Sequence, residues 1–222
     1  AHYYGGEAYY QLKQYDSALT HFDKVLGSGW SDFTEPSAQR AATIAYTQGN
    51  YTASGRYYAQ LRNIAESKNE LAVAYRGMMF SADRMSDGLA ANYADTLLTL
   101  PEIDEEMKTE AMLIKGNAAI RKENFEEAAS LLQQAATSKN IETAAEAQYQ
   151  MARLPLLQKK TTAAESAVTE AIRATSGSSY WNTKCYLLMA DVFIAEKDYF
   201  NAKATLQSII RNEKNENLRQ DA

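Results

Sequence analysis

NFEEAASLLQQA, residues 124–135, sets Phe125, Ala128, Leu132 and Ala135 at spacings of three, four and three. Those spacings fall on one face of a helix. Two of the four inward positions are only alanine, although leucine or isoleucine would bury more apolar surface. Another helix must therefore approach this one closely.

The pattern recurs along the chain. Its instances are Tyr15/Ala18/Phe22, Tyr51/Ser54/Tyr58, Ser86/Leu89/Tyr93, Phe125/Ala128/Leu132, Thr161/Ala164/Val168 and Tyr199/Ala202/Leu206, with middle residues 36, 35, 39, 36 and 38 apart. Twelve residues before each middle residue stands Gly6, Ala42, Gly77, Gly116, Ala152 or Ala190. Three residues after these come Tyr9, Ala45, Phe80, Ala119, Pro155 and Phe193. Each unit thus holds two amphipathic helices joined by a short polar turn such as LKQYD, QGN, RKEN, QKK or AEKD. The helices are expected at 2–13 and 16–27, 37–48 and 51–66, 70–84 and 86–99, 104–122 and 124–137, 141–158 and 161–174, and 178–196 and 198–211. A small residue on each helix at the crossing lets the axes approach to the short end of the roughly 8–10 Å range.

Composition agrees. Only 10 glycines and 3 prolines occur in 222 residues, and Ala, Glu, Gln, Lys and Leu dominate, which favours helices. A net charge of -5, with lysine and arginine scattered, argues against a phosphate-binding surface. No apolar run approaches the roughly 18 residues a membrane span needs. The chain begins AHYYGGEAYY without an initiator Met and reads as a piece of a longer protein, an array whose first residues, Tyr3 and Tyr4, carry no polar cap.

Small residue, aromatic, then Y/F-x-x-A-x-x-x-F/L on this period resembles the tetratricopeptide repeat (TPR) family over almost the entire chain. QYDSALTHFDKVL, NFEEAASLLQQAA and DYFNAKATLQSII stand closest to the family pattern, and Pro101 fills its closing proline. Units two and five depart from it: Ser54 replaces Ala, Thr161 replaces the aromatic, and Pro155 lies inside a first helix, where it removes a backbone hydrogen bond and is expected to kink the helix. The resemblance implies an all-α, right-handed α-solenoid of about six units, roughly 1–35, 36–69, 70–103, 104–140, 141–176 and 177–211, with a polar tail at 212–222, as a single domain.

In that family the first helices line a concave groove that holds peptides or helices. The repeat register carries this onto Tyr3, Glu7, Tyr10, Gln39, Thr43, Tyr46, Met78, Asn117, Arg121, Tyr149, Arg153 and Asp191. Tyrosine offers contact area at little entropy cost, which suits protein binding; the same rings also serve simply to cover neighbouring helices. The family's carboxylate clamp is absent, because Asn117 has Leu113 where its partner should stand. Phe200 occupies a position that is polar in the other second helices (Asp16, Thr52, Asp87, Glu126, Thr162). With Ile210 it reads either as a docking edge or as a surface covered by the tail through Leu218.

Catalytic and metal chemistry find no support. His2 and His21 lack metal-like spacing and read as surface histidines, and Cys185 has no histidine near it in sequence and reads as a packing thiol. Glu102, Asp104 and Glu105 favour a helix start, and no glycine-rich phosphate loop implies a cofactor. The expected function is a protein-interaction scaffold or adaptor with a protein or peptide partner. The wording of the last unit also resembles repeat segments of bacterial cell-envelope proteins, which sets a periplasmic or envelope location as the expectation, with the cytoplasm as the alternative. The rivals are a helical-repeat RNA binder, disfavoured by the acidic charge, an accessory domain of a larger enzyme, and self-assembly through the Phe200 edge.

Overall fold

The computed structural model describes residues 1–222 and contains thirteen α-helices. They are α1 (His2–Gln11), α2 (Tyr15–Leu26), α3 (Thr34–Thr47), α4 (Tyr51–Ile64), α5 (Lys68–Arg84), α6 (Leu89–Thr99), α7 (Glu105–Arg121), α8 (Phe125–Ala135), α9 (Ile141–Leu157), α10 (Thr161–Ala174), α11 (Ser179–Ala195), α12 (Tyr199–Asn212) and α13 (Glu216–Asp221). The first twelve are the twelve helices expected, with ends within three residues. They pair as six hairpins of an all-α helical solenoid. Their contacts form two compact units, 1–107 and 108–222.

One turn closes all six hairpins. Lys13, Gly49, Ser86, Glu123, Lys159 and Lys197 each adopt a left-handed backbone, with φ between 55 and 76°. The next residue's N–H bonds back to the carbonyl five residues earlier, from Gln14 to Tyr9 through Asp198 to Phe193, at 2.8–2.9 Å. The left-handed residue's own N–H reaches the carbonyl three residues back at 2.9–3.0 Å. This pair of bonds satisfies carbonyls that the helix end would leave orphaned. Asn50, Asn124 and Asp198 then accept a hydrogen bond from the third backbone N–H of the second helix, so one residue ends one helix and starts the next.

Counted from this turn, the small position lies seven residues upstream: Gly6, Ala42, Met79, Gly116, Ala152 and Ala190. Unit three therefore differs from the sequence reading. Met79, not Gly77, fills the small position and is fully buried, and in the second helix Ala90, Ala94 and Leu97 are buried while Leu89 is exposed. The Asp87–Gly88 turn brings α6 in one residue early, and the two glycines, 77 and 88, masked that shift in the sequence.

The close approach inferred from the alanines is present, in a modified form. Ala128, Leu132 and Ala135 are fully buried. At Gly6 a side chain would stand 2.6 Å from the Phe22 ring, and at Gly116 it would stand 2.8 Å from Leu132. The small residue of the first helix thus meets the large residue of the second. Ser54, the departure in unit two, donates from Oγ to the carbonyl of Ala42 at 3.0 Å across the same crossing, and buried Ser81 Oγ lies 3.1 Å from it. A hydroxyl replaces a methyl because a backbone acceptor is within reach.

α9 runs through Pro155 as one helix to Leu157, so the proline sits in the last turn, where few bonds depend on it. The tail is not merely polar. Asn215 caps α13 through bonds from the N–H groups of Asn217 and Leu218, and Leu218 is buried on a helix that packs against α11 and α12. The tail nevertheless leaves Phe200 81% exposed and Ile210 49% exposed. It folds back without covering the edge.

Candidate partner-binding groove

Measured from the turn, the groove positions of each first helix are three before and one, four and five after the small position. In unit one they are engaged within the chain. Tyr3 stacks on Phe33 with ring centres 4.9 Å apart. Arg40 grips both carboxylate oxygens of Glu7 at 2.8 and 3.1 Å and lies 4.5 Å over the Tyr10 ring. The Glu7 bond is also the main reason the Arg40 guanidinium is held above its ordinary pKa.

Units two and three build a pocket. Gln39, Thr43 and Tyr46 from α3 form one wall, Val73, Arg76, Gly77, Phe80 and Arg84 from α5 the other, and Tyr58 from α4 completes a cavity of about 450 Å³. Met78 does not face it. That residue is buried at 5% exposure because the register of α5 is shifted, and Arg76 and Phe80 hold the groove positions instead. Arg84 Nε donates to the Tyr46 hydroxyl at 3.1 Å. Arg76 stands 5.8 Å from the Phe80 ring centre and pairs with Glu106 at 3.3 Å. Burial pushes the Tyr58 phenol up, while a bond to Thr43 and the Arg76 charge pull it back. Gly77 is what admits that ring: a side chain there would come within 2.4 Å of it.

In the second compact unit Asn117 is buried and donates to Glu146 at 3.2 Å, while its Oδ1 is buried with no hydrogen-bond partner. Arg121 is exposed in the last turn of α7. Tyr149 packs against Trp181 with ring centres 5.3 Å apart, and Arg153 lies 5.6 Å over the Tyr149 ring and bonds Gln150. The Asp191 carboxyl is lifted by loss of surrounding solvent and lowered by Lys184 and Arg153. The structure thus brings Tyr149, Arg153 and Asp191 into one neighbourhood, and it gathers Gln39, Thr43 and Tyr46 into another.

The sequence reading missed Tyr58, Arg76, Phe80 and Arg84. An early clue was MSDG at residues 85–88, a turn one residue shorter than the others up to the first buried alanine. His21 also differs from expectation. Its ring packs 5.6 Å from His2 and 5.2 Å from Tyr9, and its Nδ1 is buried against Gly5. Cys185 is fully buried and its thiol is pushed up to about 11 by that burial, which suits packing rather than nucleophilic attack. No helix is long and apolar enough to cross a membrane.

The tetratricopeptide-repeat family model matches residues 1–28 and 184–215. No curated protein matches the sequence. Among solved structures, the TPR2AB domain of yeast Sti1, in a pHSP90 complex, is similar at a TM-score of 0.40 and 15% identity, over 99% of this chain and 96% of that one. The tetratricopeptide-repeat family model thus matches the first and last repeats, and the same turn closes these hairpins and the four between them.

Proposed function

We propose that this chain is a protein-interaction scaffold that receives a segment of a partner protein in the groove between α3 and α5. The observation that carries the reading is the pocket itself. Three aromatic rings and two arginines line an open cavity on a rigid helical frame, a composition typical of protein-binding hot spots. No catalytic role is assigned to any residue. The proposed setting is the cell envelope, on the likeness of the last unit's wording to envelope repeat proteins, and fractionation of the native protein tests it.

The test of the groove is cross-linking in native extract, with photoreactive groups placed at Gln39 and Val73 and the helicity of each variant checked by circular dichroism. A partner joined at both positions in the wild type, and lost when Tyr46 and Phe80 become alanine, supports the reading. A partner joined equally well without those rings overturns it.

A further inference from the structure

Successive hairpins join through a contact that repeats. Gln48, the residue before the left-handed Gly49, donates from its amide to the Asp16 carboxylate of the hairpin before it at 3.1 Å. The Thr52 hydroxyl donates to the sulfur of Met85, the residue before the left-handed Ser86, at 3.3 Å. Asp16 and Thr52 each stand three residues after the left-handed residue of their own hairpin. The end of a first helix thus touches the start of the second helix that precedes it.

The same count puts Leu12 at the first of these positions on the first hairpin and Phe200 at the second on the last hairpin. Asp16 with Gln48, Thr52 with Met85, Glu126 with Gln158 and Thr162 with Glu196 each include a polar side chain. Leu12 and Phe200 are both apolar, and Leu12, at 66%, is nearly as exposed as Phe200. Two neighbours repeat the contrast. Nine residues before the turn residue, Arg40 reaches back to Glu7 and Tyr10, and Leu188 shares a cluster with Val168 of the preceding helix, whereas Tyr4 at that position is 65% exposed. Thirteen residues after the turn residue, Leu26 packs into the cluster of Ala38 and Ile172 into that of Cys185 and Leu188, all three on the first helix that follows. Ile210 at that position is exposed.

From these matched positions we infer that the α11–α12 face of one copy of this chain receives the α1 face of a second copy, with Phe200 on Leu12, in the geometry that joins hairpins within the chain. Continuity with that internal contact selects the occupant: the second copy brings a first helix with the register already built for this face and an apolar residue where Phe200 needs one. α13 leaves room for it. That helix packs on both α11 and α12, as α11 packs on α9 and α10, and Asn215 caps it through its second and third N–H groups as Asn140 caps α9. It therefore stands where a first helix opens, and it is six residues long. α9 and α11 begin eleven residues before their small residue, α1 only four, so α1 requires the remainder of that track and not its opening. The contact joins two different faces, so it is heterologous and adds copies one after another. Neither Leu12 nor Phe200 lines the α3–α5 pocket, and the inference stands apart from the groove reading.

The test is sedimentation equilibrium of the 222-residue chain from about 10 μM to 1 mM, a range that captures even weak association. It compares the wild type with Leu12→Glu and Phe200→Glu, whose exposed positions leave the fold alone, as circular dichroism and the urea midpoint of each should verify. The wild type should gain mass with concentration and pass the dimer, and each variant alone should associate at least tenfold more weakly. An equimolar mixture of the two variants is the decisive arm. The Leu12→Glu copy keeps its Phe200 face and the Phe200→Glu copy keeps its Leu12 face, so the mixture should form a one-to-one dimer and stop there. A mixture no heavier than the separate variants overturns the pairing. Association lost in Phe200→Glu but kept in Leu12→Glu shows a symmetric contact between two α12 faces and overturns it as well. So does association that neither substitution weakens, or a wild type that remains a single chain throughout.

Discussion

The two compact units place the same helix positions around the same kind of groove and fill it differently. Counting from the left-handed turn residues, Gln39, Thr43 and Tyr46 correspond to Tyr149, Arg153 and Leu156, and Tyr58 corresponds to Val168. On the facing helix, Val73, Arg76, Gly77, Phe80 and Arg84 correspond to Lys184, Leu187, Leu188, Asp191 and Ala195. The first set encloses a cavity. In the second, Leu188 packs with Val168 and Met189 in the core, with Tyr149 against the same cluster, and Arg153, Lys184 and Asp191 offset one another's charge. Every one of these positions differs, and among the exchanges the one of Gly77 for Leu188, beside the large residue of the preceding helix, adds buried volume where the first unit leaves room for the Tyr58 ring. The backbone sets where a groove can be, and side-chain volumes decide whether it is open.

The harshest way to break the comparison is to empty the filled site. Leu188→Ala should cost about 2–5 kcal/mol in urea unfolding, because Leu188 is 4% exposed within a closed cluster. Filling the open site should cost less. Gly77→Ala drives a methyl into the Tyr58 ring, at about 1–3 kcal/mol, offset by the roughly 1 kcal/mol alanine gains as a helix former. The companion Gly77→Ala/Tyr58→Ala should recover the native urea midpoint of Tyr58→Ala alone or exceed it; a further loss would show that the ring is not what Gly77 accommodates.

Alkaline titration follows each unit through one group. Burial lifts the Cys185 thiol from 9.0 to about 11, and burial with the bond to Asp23 lifts the Tyr57 phenol from 10.0 to about 12. Both groups are neutral acids whose folded pKa is raised, so the stability they contribute is complete below the unfolded values. It should decline as pH rises from 9 to 11 for Cys185 and from 10 to 12 for Tyr57. Thiol-reagent labelling of native protein at pH 8 should accordingly be slow until unfolding, and ultraviolet titration should find a late-titrating group of tyrosines that includes Tyr57 and Tyr58. The smallest effect belongs to the edge: Phe200→Ser should move stability by less than about 0.5 kcal/mol, since the ring is 81% exposed.

Much of this was written in the sequence. The six hairpins follow from small and aromatic residues at helical spacing, and the α3 wall of the pocket followed from the same register. What was hidden depended on non-local geometry or on residues without a signature. Ser86 takes a left-handed conformation that serine rarely announces, so the two-residue shift on α5 that moves Arg76 and Phe80 into the groove and Met78 out of it left the short MSDG turn as its one trace. Tyr58 became part of the pocket only because Gly77, nineteen residues later, makes room for it. α13 was illegible because six residues do not hold a helix without tertiary contact, and its one apolar anchor, Leu218, sits in a polar run.

The turns have a consequence for how such a chain changes over generations. Five of the six left-handed positions hold lysine, serine or glutamate, all exposed, in a conformation that costs an L side chain about 1–2 kcal/mol. Gly49 shows that the site accepts glycine. Part of that strain would be regained on substitution, a few tenths to about 1 kcal/mol per turn after the added freedom of the unfolded chain is subtracted. These joints thus constitute latent mutational tolerance: a destabilising exchange in the pocket can be offset in part by one glycine at an exposed turn outside it.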